Sequence, residues 1–507
     1  MGGNDGDALT AGGPDPLPPD AGTAGSDDEQ SLGTRASRGF LWANLGIVTR
    51  YVTALILAAV LARVLDPVDY AVMVTLMLIT FYFDNALDLG MGAALVYEQE
   101  DGVTERVQVA FTANLGLGVL LAVVALVIAP FVADYFGQSG YVAEFRSLAV
   151  IVLLSALTTV PWSLFMRNMD FRRRAVVEVS RDLSRFGVTL GLAFAGLGAW
   201  AIVYGLFAAY AVALVGTWLV LRFRPTFAWD SRTVKQLFAY AWRVAGNRLL
   251  GLLALNGDYF VVGNRRRDEY ASYYQAFRLP EFVMGAQLNG LSAVLFPMYS
   301  RIRSDGEAAL REGMFKALRI VGLFSFPVGI GLALIARDAF TVFYGTQNLA
   351  GIQTMEIISI AGAVTGIGFA TGDLLMAMNR PGVLLRLNLV MVPLMLVAMW
   401  FVAPQGIVWV AVVHLCIQFV FVGVRQLIVD RILSARSAEA LACLVPGLVV
   451  TFGVLVLALP VRLATGEGFV SLVAIMAAGT VGALASLAVY PPARRELFDL
   501  IAKLRGG

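Results

Sequence analysis

Fourteen apolar runs, each of about 18 to 25 residues, follow one another between residues 40 and 490. Runs of that length cross the hydrocarbon of a bilayer. There every backbone N–H and C=O must be bonded within the segment, so the chain is restricted to α-helices. The expected class is an all-α polytopic membrane protein. Only 15% of its residues are charged and 58% are hydrophobic, against roughly 25% charged in soluble domains. The spans are placed near 40–64, 70–96, 108–133, 146–166, 176–197, 200–221, 239–263, 270–298, 317–336, 353–378, 383–402, 407–430, 440–460 and 468–490.

The connections are short, and their charge sets an orientation. With the N-terminus in the cytoplasm, 24 of the 38 basic residues fall on cytoplasmic connections and tails and seven on outer ones, as the positive-inside rule requires. The run Arg265-Arg266-Arg267 violates the rule and is expected at an interface or on an anionic lipid head group. Residues 1–37, rich in Gly, Pro, Ala and Asp, read as a disordered cytoplasmic tail with no signal peptide. The expected organisation is a six-helix lobe over 38–221 and a cytoplasmic linker over 222–238. A second six-helix lobe over 239–435, an extra helix pair over 436–490 and a cytoplasmic tail over 491–507 follow.

An internal repeat supports the two lobes. Trp42, Gly46, Leu55, Asp69-Tyr70-Ala71, Gly90, Ala93 and Leu95 recur 200 residues later as Trp242, Gly246, Leu255, Glu269-Tyr270-Ala271, Gly290, Ala293 and Leu295. Six spans separate the copies, so both enter the membrane from the same side, and the repeat is parallel. The copies share glycines and aromatics but not charges: Arg50 faces Leu250 in the alignment, Arg248 faces Val48, and Asp258 faces Ala58.

Charges within spans are costly, about 2.5–3.5 kcal/mol at mid-bilayer, and belong in a hydrated cleft or in pairs. Arg50, Arg248 and Arg278 lie in the opening helices of the two halves, accompanied by Asn247, Asp258 and Glu281. Guanidinium groups hold phosphate or carboxylate oxygens in a bidentate way. These six residues are therefore the candidate substrate-binding set. Arg248 with Asp258, or Arg278 with Glu281, would equally serve as ion pairs that hold helices together. Asp84 and Asp88, placed near the outer end of span 2, suit gating or packing. With Asp373 and His414 they form the candidate gating or coupling set, although His414 also fits a packing histidine. Arg181, Asp182 and Arg185 are placed at the cytoplasmic start of span 5, as interfacial residues.

The chemistry that is missing also narrows the function. One histidine and two cysteines inside apolar segments suggest no metal site or disulfide framework. Neither a P-loop nor a nucleophile elbow occurs in usable context. No catalytic residue, cofactor or nucleic-acid partner is expected, and the chain is not expected to be an enzyme.

Several segments resemble one family. Leu61-Ala62-Arg63-Val64-Leu65-Asp66-Pro67-Val68-Asp69-Tyr70, Asp88-Leu89-Gly90-Met91-Gly92, Asn256-Gly257-Asp258-Tyr259, Leu295-Phe296-Pro297-Met298-Tyr299-Ser300-Arg301 and Asn379-Arg380-Pro381 occur in order. They resemble the oligosaccharide flippases, the lipopolysaccharide and exopolysaccharide exporters of the MOP superfamily. The resemblance covers most of residues 38–435 and implies two lobes in a V that open alternately to the two faces of a bacterial-type cell membrane. It further implies, as cargo, a polyprenyl-diphosphate-linked oligosaccharide moved from the inner to the outer leaflet. Membrane lipids and glycan-assembly enzymes would be partners. The alternative is a cation-coupled drug or metabolite antiporter of related architecture, using Asp84, Asp88 or Asp258. A glycan polymerase or ligase is disfavoured by the short outer loops.

Overall fold

The computed structural model describes residues 42, 46, 48–88, 103–168, 170–345, 350–496 and 498, without the side chains of 103–106, 233, 236–249 and 350. Among these residues the chain is helical and has no strand. The first lobe comprises α1 (48–64), α2 (Pro67–Asp88), α3 (Val103–Tyr135), α4 (Val142–Arg167), α5 (Phe171–Phe194) and α6 (Trp200–Leu221). The second comprises α7 (Ser231–Arg265), α8 (Tyr270–Ile302), α9 (Glu307–Tyr344), α10 (Ala350–Ala377), α11 (Pro381–Val402) and α12 (Ile407–Ile432). A short α13 (Ser437–Ala442) leads into the pair α14 (Val445–Ala464) and α15 (Phe469–Val489). The tail over 1–37 lies outside the described residues.

Ten of these helices are long and apolar enough to cross a membrane. The long helices α5, α7 and α8, of 24, 35 and 33 residues, are not among them. They carry Glu178, Arg181, Asp182, Arg185, Asp258, Arg278 and Glu281, which makes them more polar than the ten. Two helices begin earlier than expected because an aspartate caps each. Asp230 accepts the backbone N–H of Arg232 at 3.2 Å, so helix α7 takes up much of the expected 222–238 linker. Asp170 accepts that of Arg173 at 3.1 Å and starts α5 at Phe171. Arg181, Asp182 and Arg185 therefore lie near the middle of α5, further along the helix than the expected start at 176 put them.

One large buried apolar cluster joins the lobes at one end. It includes Leu61 of α1, Leu65 just after it, Tyr70 of α2, Phe136, Val262 of α7 and Tyr270 of α8. Further along α1, Leu55 and Ala59 pack against the core of the second lobe, and Tyr51 lies 5.3 Å from Phe282 of α8 between ring centroids. At the opposite end, where the basic connections lie, the clusters are separate. Val107, Phe111 and Val160 pack with Trp218 in the first lobe, and Leu295, Tyr299, Met314 and Val429 in the second. Among the described residues the lobes thus share a core at one end, the sealed end, and keep separate cores at the other, the split end. Since α2 starts at the sealed end, Asp84 and Asp88 lie toward the split end. Their expected placement near the outer end is corrected, because α2 runs opposite to α1.

The extra pair belongs to the second lobe. Gly447 of α14 lies against the Gly322 backbone of α9 with no room for a Cβ. Ion pairs fasten the pair on both sides: Arg462 to Glu356 at 2.6 Å, Arg337 to Glu467, and Arg319 to Glu496 at 2.6 Å. Of the two small-xxx-small pairs, Gly362 and Gly366 pack against Met284 and Ser325, as close approach requires. Gly187 and Gly191 face open space.

Candidate functional site: the charged cleft between the lobes

The sealed end is locked by an exchange of arginines. Arg63, at the end of α1, donates to the Val342 carbonyl near the C-terminus of α9. Arg267, just after α7, donates to the Asp134 and Tyr135 carbonyls at the C-terminus of α3, at 3.1 and 3.2 Å. Each lobe so places a cation on the third helix of the other, where unpaired carbonyls and the helix dipole favour it. Asn264 adds a bond to the Tyr135 carbonyl at 2.8 Å, and the Tyr135 hydroxyl one to the Phe260 carbonyl at 3.2 Å. Phe136 packs between Phe260 and Tyr270, with ring centroids at 5.9 and 5.6 Å. The remaining two arginines of the violating run also have protein partners. Arg265 lies 4.8 Å over the Trp400 ring, and Arg266 pairs with Asp268 at 3.0 Å and Glu269 at 2.8 Å. All three arginines thus have protein partners, and Arg265 and Arg267 remain exposed.

Deeper between the lobes lies a band of charge. On α1, Arg50 is half exposed and pairs with Glu178 at 3.4 Å and Asp182 at 3.8 Å, both on α5. Arg174 shares Glu178 at 3.2 Å, and Arg181 shares Asp182 at 2.9 Å. Arg185, one turn further along α5, lies in the field of Asp182, Tyr210 and Tyr274, and has no carboxylate within ion-pair distance among the described residues. Across the cleft on α8, Arg278 stacks 4.2 Å over the Tyr274 ring and pairs with Glu281 at 3.2 Å. Tyr274 itself touches the first lobe through Tyr70, at 6.3 Å between centroids. Arg278 therefore stands on a tyrosine that meets the first lobe, whose own arginines lie on α1 and α5. On α1 and α5, four guanidinium groups meet two carboxylates, so the band attracts anions.

The candidate residues divide between this band and the packing around it. Arg50, Arg278 and Glu281 belong to the band. Asn247 and Arg248 lie on α7 with side chains outside the described residues, so the Arg248–Asp258 pairing is untouched. Asp258 is enclosed, 2% exposed, and accepts from the Tyr273 hydroxyl at 2.8 Å and the Tyr259 N–H at 3.0 Å. Asp84 accepts from Ser155 at 2.7 Å and from Tyr210, which ties α2 to α4 and α6. Asp88 is half-buried at the end of α2, and Asp373 on α10 lies beside Ser292 of α8. The His414 ring packs edge-on to Phe277, 5.9 Å between centroids. Sequence reasoning passed over Arg185. The Asp170 cap three residues before Arg173 was the available signal, because it moves the middle of the helix onto Arg181 and Arg185. Among the described residues no cluster of His, Cys, Asp and Glu is arranged to hold a metal ion.

The fold has solved counterparts. It superposes on the lipid II flippase MurJ in an inward closed conformation with a TM-score of 0.72, over 90% of this chain and 100% of that one, at 12% identity. An inward-facing MATE family multidrug resistance transporter of the MOP superfamily aligns at TM-score 0.57 and 15% identity, over 78% and 94% of the two chains. In sequence, the chain is 25% identical over 308 residues to the teichuronic acid biosynthesis protein TuaB of Bacillus subtilis, covering 59% of this chain and 62% of TuaB. It is 23% identical over 307 residues to the succinoglycan biosynthesis transport protein ExoT of Rhizobium meliloti, covering 60% and 62%. It thus spans about three fifths of the length of these two relatives. With the lipopolysaccharide biosynthesis protein WzxC of Escherichia coli it shares 22% identity over 361 residues, 71% of this chain and 73% of WzxC. The polysaccharide biosynthesis protein family model matches residues 60–352, more than half of the sequence, and the chain belongs to that family.

Proposed function

We propose that the protein is an alternating-access flippase that moves a polyprenyl-diphosphate-linked oligosaccharide, a precursor of a cell-surface polysaccharide, from the inner to the outer leaflet. The observation that carries this reading is the band of arginines that both lobes contribute at mid-depth, Arg50, Arg174 and Arg181 from the first and Arg278 from the second, in a cleft sealed at one end. A diphosphate entering from the split end meets permanent cations at mid-depth, while its lipid tail stays in the bilayer. The excess of basic residues on the connections at the split end supports a cytoplasmic side for it and for both termini. The conformation is then the one that loads cargo. Release outward requires the Arg63 and Arg267 locks to open. The protein carries out no bond chemistry itself; glycan-assembly enzymes supply and consume its cargo.

The names of the relatives, biosynthesis and transport proteins for surface polysaccharides, support the same cargo class. The test is leaflet transfer of a fluorescent polyprenyl-diphosphate saccharide in proteoliposomes. Transfer that depends on the protein is the expected result. Absence of transfer, together with proton- or sodium-driven export of a soluble cation, would establish the antiporter reading instead.

A further inference from the structure

Arg63 and Arg265 to Arg267 at the sealed end are engaged by protein; a second group, at the basic end of the first lobe, is more open to its surroundings. The start of α5 and the end of α6 lie side by side there, around a recess of about 590 Å³ lined by Asp170, Arg172, Arg173, Val176 and Val220. A neighbouring recess of about 660 Å³ shares Asp170, Arg173 and Val220 and adds Arg222. Arg173 keeps one acidic partner, Asp170 at 3.2 Å, and its side chain remains 64% exposed. Arg172 is exposed, its guanidinium 5.8 Å over the Trp42 ring. Arg222, also exposed, ends α6 in a left-handed conformation with φ 51°. Three cations thus line recesses whose one acidic lining residue, Asp170, pairs with Arg173. The wall beside them is apolar and open, with Val176 52% and Leu219 72% exposed.

The segment that follows extends this surface. Gln108 of α3 donates to the Arg224 carbonyl at 3.2 Å and accepts from the Thr226 N–H at 2.8 Å, and Thr112 accepts from the Ala228 N–H at 3.2 Å. With its backbone tied down, the segment leaves Phe227 74% and Trp229 66% exposed beside exposed Arg224. Exposed aromatics interleaved with arginine at the end of a membrane helix are the composition of the head-group layer.

We propose that this recess binds the phosphate of an anionic phospholipid, with the acyl chains lying against Val176 and Leu219. Arginine forks suit a phosphate diester, and cytoplasmic-leaflet charge favours the site. Free inorganic phosphate shares the chemistry of the head group but gains nothing from the apolar wall. None of its lining residues belongs to the charged band of the central cleft, so the site does not depend on the cargo proposed above.

The test is native mass spectrometry of the full-length protein titrated with phosphatidylglycerol and with phosphatidylcholine. The expected result is at least tenfold tighter binding of phosphatidylglycerol, lost in the triple variant Arg172→Gln, Arg173→Gln, Arg222→Gln. Arg146→Gln, an exposed cation at the opposite end, should keep the preference. Leu219→Asp, which leaves every arginine in place, should weaken phosphatidylglycerol binding about tenfold and serves if the triple variant fails to fold. Equal binding of both lipids, displacement by millimolar inorganic phosphate, or an unchanged preference in a folded triple variant or in Leu219→Asp would each overturn the site. Binding of a polyprenyl diphosphate there in place of phosphatidylglycerol would also overturn it.

Discussion

At the sealed end, positions 69 and 269 both carry an acid at the start of the sixth helix of its own lobe. Glu269 accepts the N–H of Ile407, the first residue of α12, at 2.9 Å. Asp69 lies against Gly198, just before α6, so closely that a Cβ there would meet its Oδ2 at 2.5 Å; φ of +54° independently calls for glycine. The tyrosines that follow, Tyr70 and Tyr270, are each 1% exposed and join the same core. At mid-depth the likeness ends. The first lobe supplies Arg50, Arg181 and Arg185 with two carboxylates, the second Arg278 with one. Duplicated sequence builds the hinge, where two similar lobes must meet on similar terms. Divergent sequence builds the band, where an asymmetric ligand has no use for symmetry.

The largest effect should follow from erasing the band. The double variant Arg185→Gln, Arg278→Gln removes one cation from each lobe. Two charge-assisted contacts of about 1.5–3 kcal/mol each predict a fall of at least about a hundredfold in leaflet transfer. The measurement is initial transfer rate in proteoliposomes at matched protein amounts. A double variant that keeps a third or more of the rate would remove the band from the mechanism. The contrast case is Asp258→Ala, which orphans the buried Tyr273 hydroxyl and Tyr259 N–H. It should lower unfolding stability by about 1–3 kcal/mol and leave transfer per folded molecule unchanged. A selective loss of transfer with unaltered melting would instead move Asp258 into the cleft.

How much of this is legible in the sequence depends on the range of the interactions. Apolar run length and loop charge are local, and they suffice for the helical class and for the basic end. The repeat at a spacing of 200 exposes the two lobes. Arg50 and Arg278 stand out as charges in spans, and their place in the band follows. Arg185 hides because Arg172-Arg173-Arg174 resembles a loop until Asp170 is recognised as a cap, which shifts the helix centre. The Arg265-Arg266-Arg267 run is visible as a violation, but its explanation lies in Asp134, Tyr135 and Trp400, more than 130 residues away. No local pattern announces such partners.

The lock itself can be loosened without touching the band. Arg267→Ala forfeits two bonds to helix-end carbonyls, about 1–2 kcal/mol in all, and should raise the open population of the sealed end about 5- to 30-fold. The readout is labelling of Val261→Cys by a membrane-impermeant maleimide, with Cys416 and Cys443 replaced by alanine. Val261 is 6% exposed and sits inside the joint core, so its labelling reports opening there. An unchanged labelling rate would mean that the aromatic packing of Phe136, Phe260 and Tyr270 holds the end shut alone.

The smallest effect tests whether the two halves of the hinge are equivalent. Glu269→Gln removes the charge that faces the α12 N-terminus, yet its amide oxygen can still accept the Ile407 N–H. Asp69→Asn makes the same change against Gly198 and the start of α6. A carboxylate at a helix N-terminus contributes about 0.3–1 kcal/mol over a neutral acceptor, so Asp69→Asn should lose no more than that in denaturant unfolding, and Glu269→Gln up to about 1 kcal/mol more, since it also gives up its ion pair with Arg266. Because the sites lie in separate lobes and share no partner, the double variant should lose the sum within about 0.5 kcal/mol. Additive losses would mark the repeat as two copies of one structural device. A marked excess in the double variant would mean that the two acids are coupled through the core that joins the lobes, and that the hinge acts as one unit.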